Sequence, residues 1–174
     1  LSLSNYEIVC VYTQPPKKSS RGQKINKSPV HKFAENLNFK IRTPKNLTDE
    51  NEYNFFKSLN PYIVVVVAYG KIIPKNYLNL PTKGFINIHA SLLPKWRGAA
   101  PIQRSIMNHE RETGISIMKI QENLDEGPYI KQIKTKINDQ TNSQSLSSTL
   151  SKLGAENILE SLKLIETNKV KFIK

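Results

Sequence analysis

Apolar and polar positions along this chain fall into short runs that alternate between a period of two and a period near 3.6, the pattern of an α/β protein. Residues 6–12 are rich in β-branched and aromatic side chains and stop at Thr13-Gln14-Pro15-Pro16, which predicts a strand. A polar, basic loop is expected over 17–28. Residues 29–38 predict a short helix with Val30, Phe33, Ala34 and Leu37 on one stripe, and 39–42 a short strand closed by Pro44. Residues 48–59 predict a second helix, with Thr48 as its N-cap and Asp49, Glu50 and Glu52 beside its positive end. Pro61 opens the most apolar run, Tyr62–Ala68, which reads as a strand buried on both faces. A strand over 85–89, a helix over 101–108 and two neighbouring strands over 113–120 and 129–137 follow. Residues 143–167 predict a long helix with Leu146, Leu150, Leu153, Ile158, Leu162 and Ile165 on its apolar side. The fold class expected is α/β, an open, mostly parallel, doubly wound (Rossmann-like) sheet with helices on both faces.

Composition narrows the class. A length of 174 residues suits one domain, and contents of 38% hydrophobic and 23% charged residues are ordinary for a soluble globular protein. No run approaches the roughly 20 apolar residues a membrane helix needs, and no signal peptide is expected. The single cysteine, Cys10, excludes an internal disulfide and reads as a strand packing residue in a reducing cytoplasm. His31, read as lying on an exposed helix start, and His109 lack a second ligand at metal spacing, so no metal site is expected. Met107 and Met118 read as core. Lys+Arg 26 against Asp+Glu 14 gives a net charge of +12, which attracts polyanions. AT-rich coding also enriches Lys, Asn and Ile, so charge alone suggests RNA without establishing it.

The candidate chemistry starts at Asn87-Ile88-His89. Side chains two apart on a strand share a face, so Asn87 and His89 project together near the carboxyl end of a strand, where open α/β sheets bind ligands. An amide donor beside an imidazole can stabilise an oxyanion and handle a proton; such a pair can equally be structural. The loop Ser91-Leu92-Leu93-Pro94-Lys95-Trp96-Arg97-Gly98 brings apolar groups for a ligand and an arginine for a negative one, or it is an ordinary helix entry. Asp125, in Leu124-Asp125-Glu126-Gly127-Pro128, can accept from an imidazole or order a water, or it caps an Asx-turn.

Together these stretches resemble the folate-dependent formyltransferase family. Asn87, His89 and Asp125 match its catalytic triad, and Trp96-Arg97-Gly98-Ala99-Ala100-Pro101-Ile102-Gln103-Arg104 resembles its methionyl-tRNA branch. Thr13-Gln14-Pro15-Pro16, Arg21-Gly22, Ser28-Pro29-Val30, Ala68-Tyr69-Gly70 and Ile73-Pro74 belong to the same likeness, which runs over 6–131. The resemblance implies formyl transfer from 10-formyltetrahydrofolate to the α-amine of methionine carried by initiator tRNA, in the cytoplasm, by a monomer without metal or membrane. It implies folate contacts from Ser91, Leu92, Leu93, Pro94, Leu124 and Gly127. It also implies tRNA contacts from Lys17, Lys18, Arg21, Lys24, Lys27 and Arg97.

The family begins with a strand and a glycine turn upstream of what opens this sequence, and it ends with a tRNA-binding domain. Residues 1–174 are therefore expected to be a catalytic domain without that first strand, which would leave sheet edges unpaired. Two other readings remain open at this level. One is a family member acting on glycinamide ribonucleotide, an amino-sugar nucleotide or water; the other is a folate- or tRNA-binding module without turnover. The basic loop and Trp96-Arg97 favour tRNA.

Overall fold

A buried carboxylate organises the first part of the chain. The structure, a computed structural model, describes residues 1–2, 4–19 and 24–173, with the side chains of Lys18, Ser19 and Lys24 outside that description. The chain divides into two units, residues 1–61 with 69–80, and residues 62–68 with 81–174.

The first unit contains β1 (Val11–Tyr12), β2 (Lys17–Ser19), β3 (Lys24–Asn26), α1 (Pro29–Asn36), β4 (Ile41–Arg42), α2 (Glu50–Ser58) and α3 (Lys75–Leu78). β1 pairs in parallel with β4, Val11 opposite Ile41 and Tyr12 opposite Arg42. The strand expected over 6–12 is thus ordered only where its equally short partner offers hydrogen bonds. Within the loop expected over 17–28, residues 17–19 and 24–26 instead pair as antiparallel strands, β2 against β3. Ser28 caps α1 by accepting from the His31 N–H at 3.0 Å. Of the apolar stripe on α1 only Ala34 is buried, while Val30 and Phe33 are 53% and 58% exposed. His31 is half-buried rather than exposed, and its Nδ1 meets no hydrogen-bond partner among the described residues. The cap of α2 is Asp49, which accepts from the Glu52 N–H; Thr48 donates its hydroxyl to Asn46 instead.

Glu52 is 5% exposed and fully used: Tyr12 donates to Oε1 at 2.7 Å and the Arg42 guanidinium grips both oxygens. Around it Tyr12, Phe56, Tyr77 and Tyr53 stack edge-on or tilted at 5.0–5.7 Å. Burial works to raise the Glu52 pKa, but the hydrogen bonds from Arg42 and Tyr12 outweigh it and hold the carboxyl below its ordinary value. Burial drives the Tyr12 and Tyr77 hydroxyls the other way, Tyr77 up to about 12.

The second unit contains β5 (Val64–Val66), β6 (Phe85–His89), α4 (Pro101–Met107), β7 (Glu112–Lys119), β8 (Tyr129–Lys136) and α5 (Ser143–Glu166). The sheet order is β5-β6-β7-β8, with β5 parallel to β6 and the two later pairs antiparallel. The sheet is therefore mixed. A short connection from β7 to β8 permits only an antiparallel return. The valine run is half-buried, not buried on both faces, because β5 has a neighbour on one side only in this sheet. In contrast Thr113–Met118 are all buried. Leu146, Leu150, Ile158, Leu162 and Ile165 of α5 are buried as expected, with Leu153 half-buried. Asn142 caps α5 with a reciprocal capping box. Met118 is core, but Met107 ends α4 on the side away from its buried Ser105 and is 78% exposed. Among the described residues no helix is long and apolar enough to cross a membrane.

Because the folded state depresses the Glu52 pKa, its contribution to stability is complete above the ordinary carboxylate value of 4.5 and is lost as pH falls through the folded value. Urea unfolding of the wild type and Glu52→Gln, followed from about pH 7 to about pH 3, should show the wild-type advantage largest at the neutral end and shrinking with acidification. A gap that does not narrow would contradict the account.

Candidate functional site

β6 serves two faces. A Cβ added to Gly154 of α5 would lie 3.2 Å from Ile88, so the helix rests on the Ile86 and Ile88 side. Asn87 and His89 therefore point to the opposite face. The register places Met118 opposite Asn87 and Ser116 opposite His89, and Gln132 of β8 opposite Ser116, all on that same face.

The segment after β6 turns tightly. Ser91 Oγ donates to the Lys95 carbonyl at 2.5 Å, the Lys95 N–H to the Leu92 carbonyl at 3.1 Å, and the Leu93–Pro94 peptide is cis. Trp96, Gly98 and Ala100 then adopt left-handed backbone, at φ 56°, 83° and 56°. For the two non-glycine residues this conformation costs on the order of 1–2 kcal/mol each, a strain of the kind that gathers at functional sites. It turns the Trp96 carbonyl onto His89 Nε2 at 2.9 Å. A carbonyl only accepts, so Nε2 carries a proton in this contact.

The other imidazole nitrogen faces Asp125, with Nδ1 3.4 Å from Oδ2, and both side chains are largely buried. The same oxygen accepts from the Gly98 N–H at 2.9 Å. That contact spans two loops and distinguishes Asp125 from a local Asx-turn. Asp125 itself is left-handed at φ 51°. Gly127 makes its approach possible: a Cβ there would lie 1.8 Å from the Lys119 carbonyl oxygen. The Asn87 amide is half-buried and makes no hydrogen bond among the described residues, which leaves its N–H groups for an incoming oxygen.

The other candidates divide. Ser91 and Leu93 are turned inward, whereas Leu92 is half-buried, Pro94 is exposed and Leu124 is 66% exposed. Gly127 lies buried in its turn. Arg97 pairs with Glu126 at 3.2 Å, and Asn123 donates to the same carboxylate. In the first unit Lys17 is exposed, and Lys27 pairs with Glu35 at 2.6 Å, holding that carboxyl below its usual range. Lys18 and Lys24 contribute backbone to the hairpin, their side chains lying outside the described residues, as does Arg21 altogether. Sequence reasoning missed the Trp96 carbonyl, the Gly98 N–H, Ser116 and Gln132. Only Ser116 carried a signal, as a polar residue inside the otherwise apolar Ile115-Ser116-Ile117-Met118.

Residues 2–162 match the family described as formyl transferase. The chain is 60% identical over 169 residues to a methionyl-tRNA formyltransferase of Pelagibacter ubique, covering 97% of this chain and 54% of that protein. A protein of the same description from Wolbachia sp. subsp. Drosophila simulans is 50% identical over 163 residues, covering 94% of this chain and 54% of that one. The chain thus spans about half the length of the curated relatives it matches. Among solved structures, a phosphoribosylglycinamide formyltransferase from Anaplasma phagocytophilum superposes with a TM-score of 0.79 at 20% identity, over 95% of this chain and 77% of that chain. The formyltransferase PseJ from Anoxybacillus kamchatkensis, in complex with a UDP-sugar and tetrahydrofolate, gives 0.65 at 19% identity, over 94% and 80%. These likenesses show a Rossmann-like α/β fold.

If Gly127 is what lets Asp125 reach His89, then Gly127→Ala must shift residues 121–128. The expected result in an amide-correlation NMR spectrum is a large change at Gly98 and Asp125 with little change along β5. An unmoved Gly98 amide would mean that Asp125 is held by something else.

Proposed function

We propose that this chain, which belongs to the formyl transferase family, carries the catalytic domain of an enzyme that formylates methionyl initiator tRNA from 10-formyltetrahydrofolate in the cytoplasm. What carries the reading is Asn87 and His89 on one sheet face with Asp125 against the imidazole, within a chain 60% identical to a protein described as a methionyl-tRNA formyltransferase. The donor supplies the formyl carbon, and the methionine amine attacks it. One carbon–nitrogen bond forms, the bond to the folate nitrogen breaks, and a proton passes from the amine to that nitrogen.

The residues suit each need. The Asn87 amide donates to the formyl oxygen as it gathers negative charge, which is when a fixed donor contributes most. The imidazole of His89, held between a carbonyl and a carboxylate, is aimed rather than free to rotate. With Nε2 given to the Trp96 carbonyl, the amine proton passes either to His89 Nδ1, beside the Asp125 carboxylate, or to a water that Asp125 orders. Leu92, Pro94 and Leu124 offer apolar surface suited to the flat pteridine ring of the folate. Lys17, Lys18, Arg21, Lys24, Lys27 and Arg97 supply charge for the phosphates of the acceptor end. A separate tRNA-binding domain belongs to the same proposal.

Formyl transfer from 10-formyltetrahydrofolate, with methionyl-tRNA and glycinamide ribonucleotide offered as competing acceptors, tests the reading. Formylated tRNA is expected, and it should vanish with His89→Ala. Asn87→Ala should slow turnover by about 100- to 1,000-fold with folate binding little changed. Transfer to the small acceptor alone would sink the tRNA assignment while keeping the family chemistry. No transfer by a folded chain would leave a binding module.

A further inference from the structure

The turn that carries Trp96 is not anchored by its own residues alone. Ser116 Oγ, fully buried on β7, donates to the Ser91 carbonyl at 2.7 Å and accepts from the Leu93 N–H at 3.0 Å. Gln132 Nε2 on β8 donates to the Leu93 carbonyl at 2.8 Å and to Ser116 Oγ at 3.0 Å. The inventory closes. Ser116 has one proton and two lone pairs, and all three are engaged; both amide protons of Gln132 are engaged as well. Since the Leu93 carbonyl can only accept, the amide nitrogen of Gln132 must face the turn.

From there the hydrogen bonds lead on. Leu93 sits inside the Ser91-to-Lys95 turn, Lys95 is held again by Glu110 at 2.9 Å, and the next residue, Trp96, presents its carbonyl to His89. The turn packs closely against the strands below it, since a Cβ on Gly114 would come within 2.7 Å of Leu92 and 2.0 Å of the Ile133 carbonyl oxygen. We infer that Gln132 is a positioning residue: through Leu93 and Ser116 it sets the turn that aims the Trp96 carbonyl at His89, and so directs the imidazole toward Asp125. It needs no contact with substrate. The catalytic use of that direction rests on the function proposed above; the positioning itself does not.

Two variants separate positioning from simple loss of packing. Gln132→Leu removes both donors at similar volume. Gln132→Glu keeps the shape but has no donor while ionised, and regains one when the new carboxyl takes a proton. The His89 ring nitrogen signals, read by long-range proton–nitrogen NMR, are expected to move in both variants while those of His31 and His109 stay. With methionyl-tRNA as acceptor, kcat should fall about ten- to a hundredfold for Gln132→Leu with the acceptor KM little changed, the loss a slightly misaimed group produces. The ratio of the Gln132→Glu rate to the wild-type rate should rise as pH falls, as the carboxyl regains its donor. Unmoved His89 ring signals in both variants would overturn the inference whatever the rates. A pH-independent rate ratio in an active enzyme would overturn it too. Ring signals that move in a protein whose wild type transfers no formyl group would uphold the positioning and remove the proposed function instead.

Discussion

The two-residue period of β6 is the constraint on which the rest of the second unit depends. Its five residues must bury Ile86 and Ile88 beneath α5 while turning Asn87 and His89 the other way. A slip of one residue would put the polar pair under the helix and the isoleucines at the site. That slip is blocked on the other side as well, because β7 pairs with β6 from Ile86 to His89 and is itself buried from Thr113 to Met118. The chemistry is therefore anchored by hydrophobic burial, which is strong and non-directional, and not by the weaker polar contacts around it. Gly154 belongs to the same arrangement, since a Cβ there would lie 3.2 Å from Ile88, so close that one of the two would have to give.

Once the face is set, a single stretch of main chain contacts both His89 and Asp125. Trp96 offers a carbonyl to His89, and two residues later Gly98 offers an N–H to Asp125. An acceptor and a donor pointing into one small region require the chain to reverse its peptide planes, which left-handed backbone at Trp96 and Gly98 accomplishes. The consequence is coupling. A ligand that displaces residues 96–98 changes the surroundings of the imidazole and of the carboxylate together.

The strands and helices of the second unit were readable because burial writes a period into the sequence: 85–89 was read at its true limits, and α5 within a residue. The first unit was read less well, for identifiable reasons. The strand over 6–12 needed a partner longer than the two residues of β4, and the hairpin of β2 and β3 carries lysines where a strand would show alternation. Thr48 and Asp49 are both good caps, and only the geometry of Asn46, which takes the threonine hydroxyl, decides for the aspartate. At the site, Asn87, His89 and Asp125 were legible as residue types at motif spacing. The Trp96 carbonyl and the Gly98 N–H were not, because every residue has them and only the backbone angles say where they point. Gln132 escaped for a related reason: nothing in a strand with lysines at 131, 134 and 136 marks one polar side chain as turned inward.

The charges sort by the same physics. Arg42 is committed, since removing it would strand a buried carboxylate, a loss that solvent cannot make good. Lys27 with Glu35 and Arg97 with Glu126 are exposed pairs that contribute little, because water and salt screen them. A phosphate backbone arriving with several charges at once, and releasing its counterions, outcompetes such a pair readily. A net charge of +12 draws that polyanion in from a distance, but close contact is decided by which cations can leave their present partners. In the proposed reaction those are Lys27 and Arg97, not the arginine that holds the first unit together.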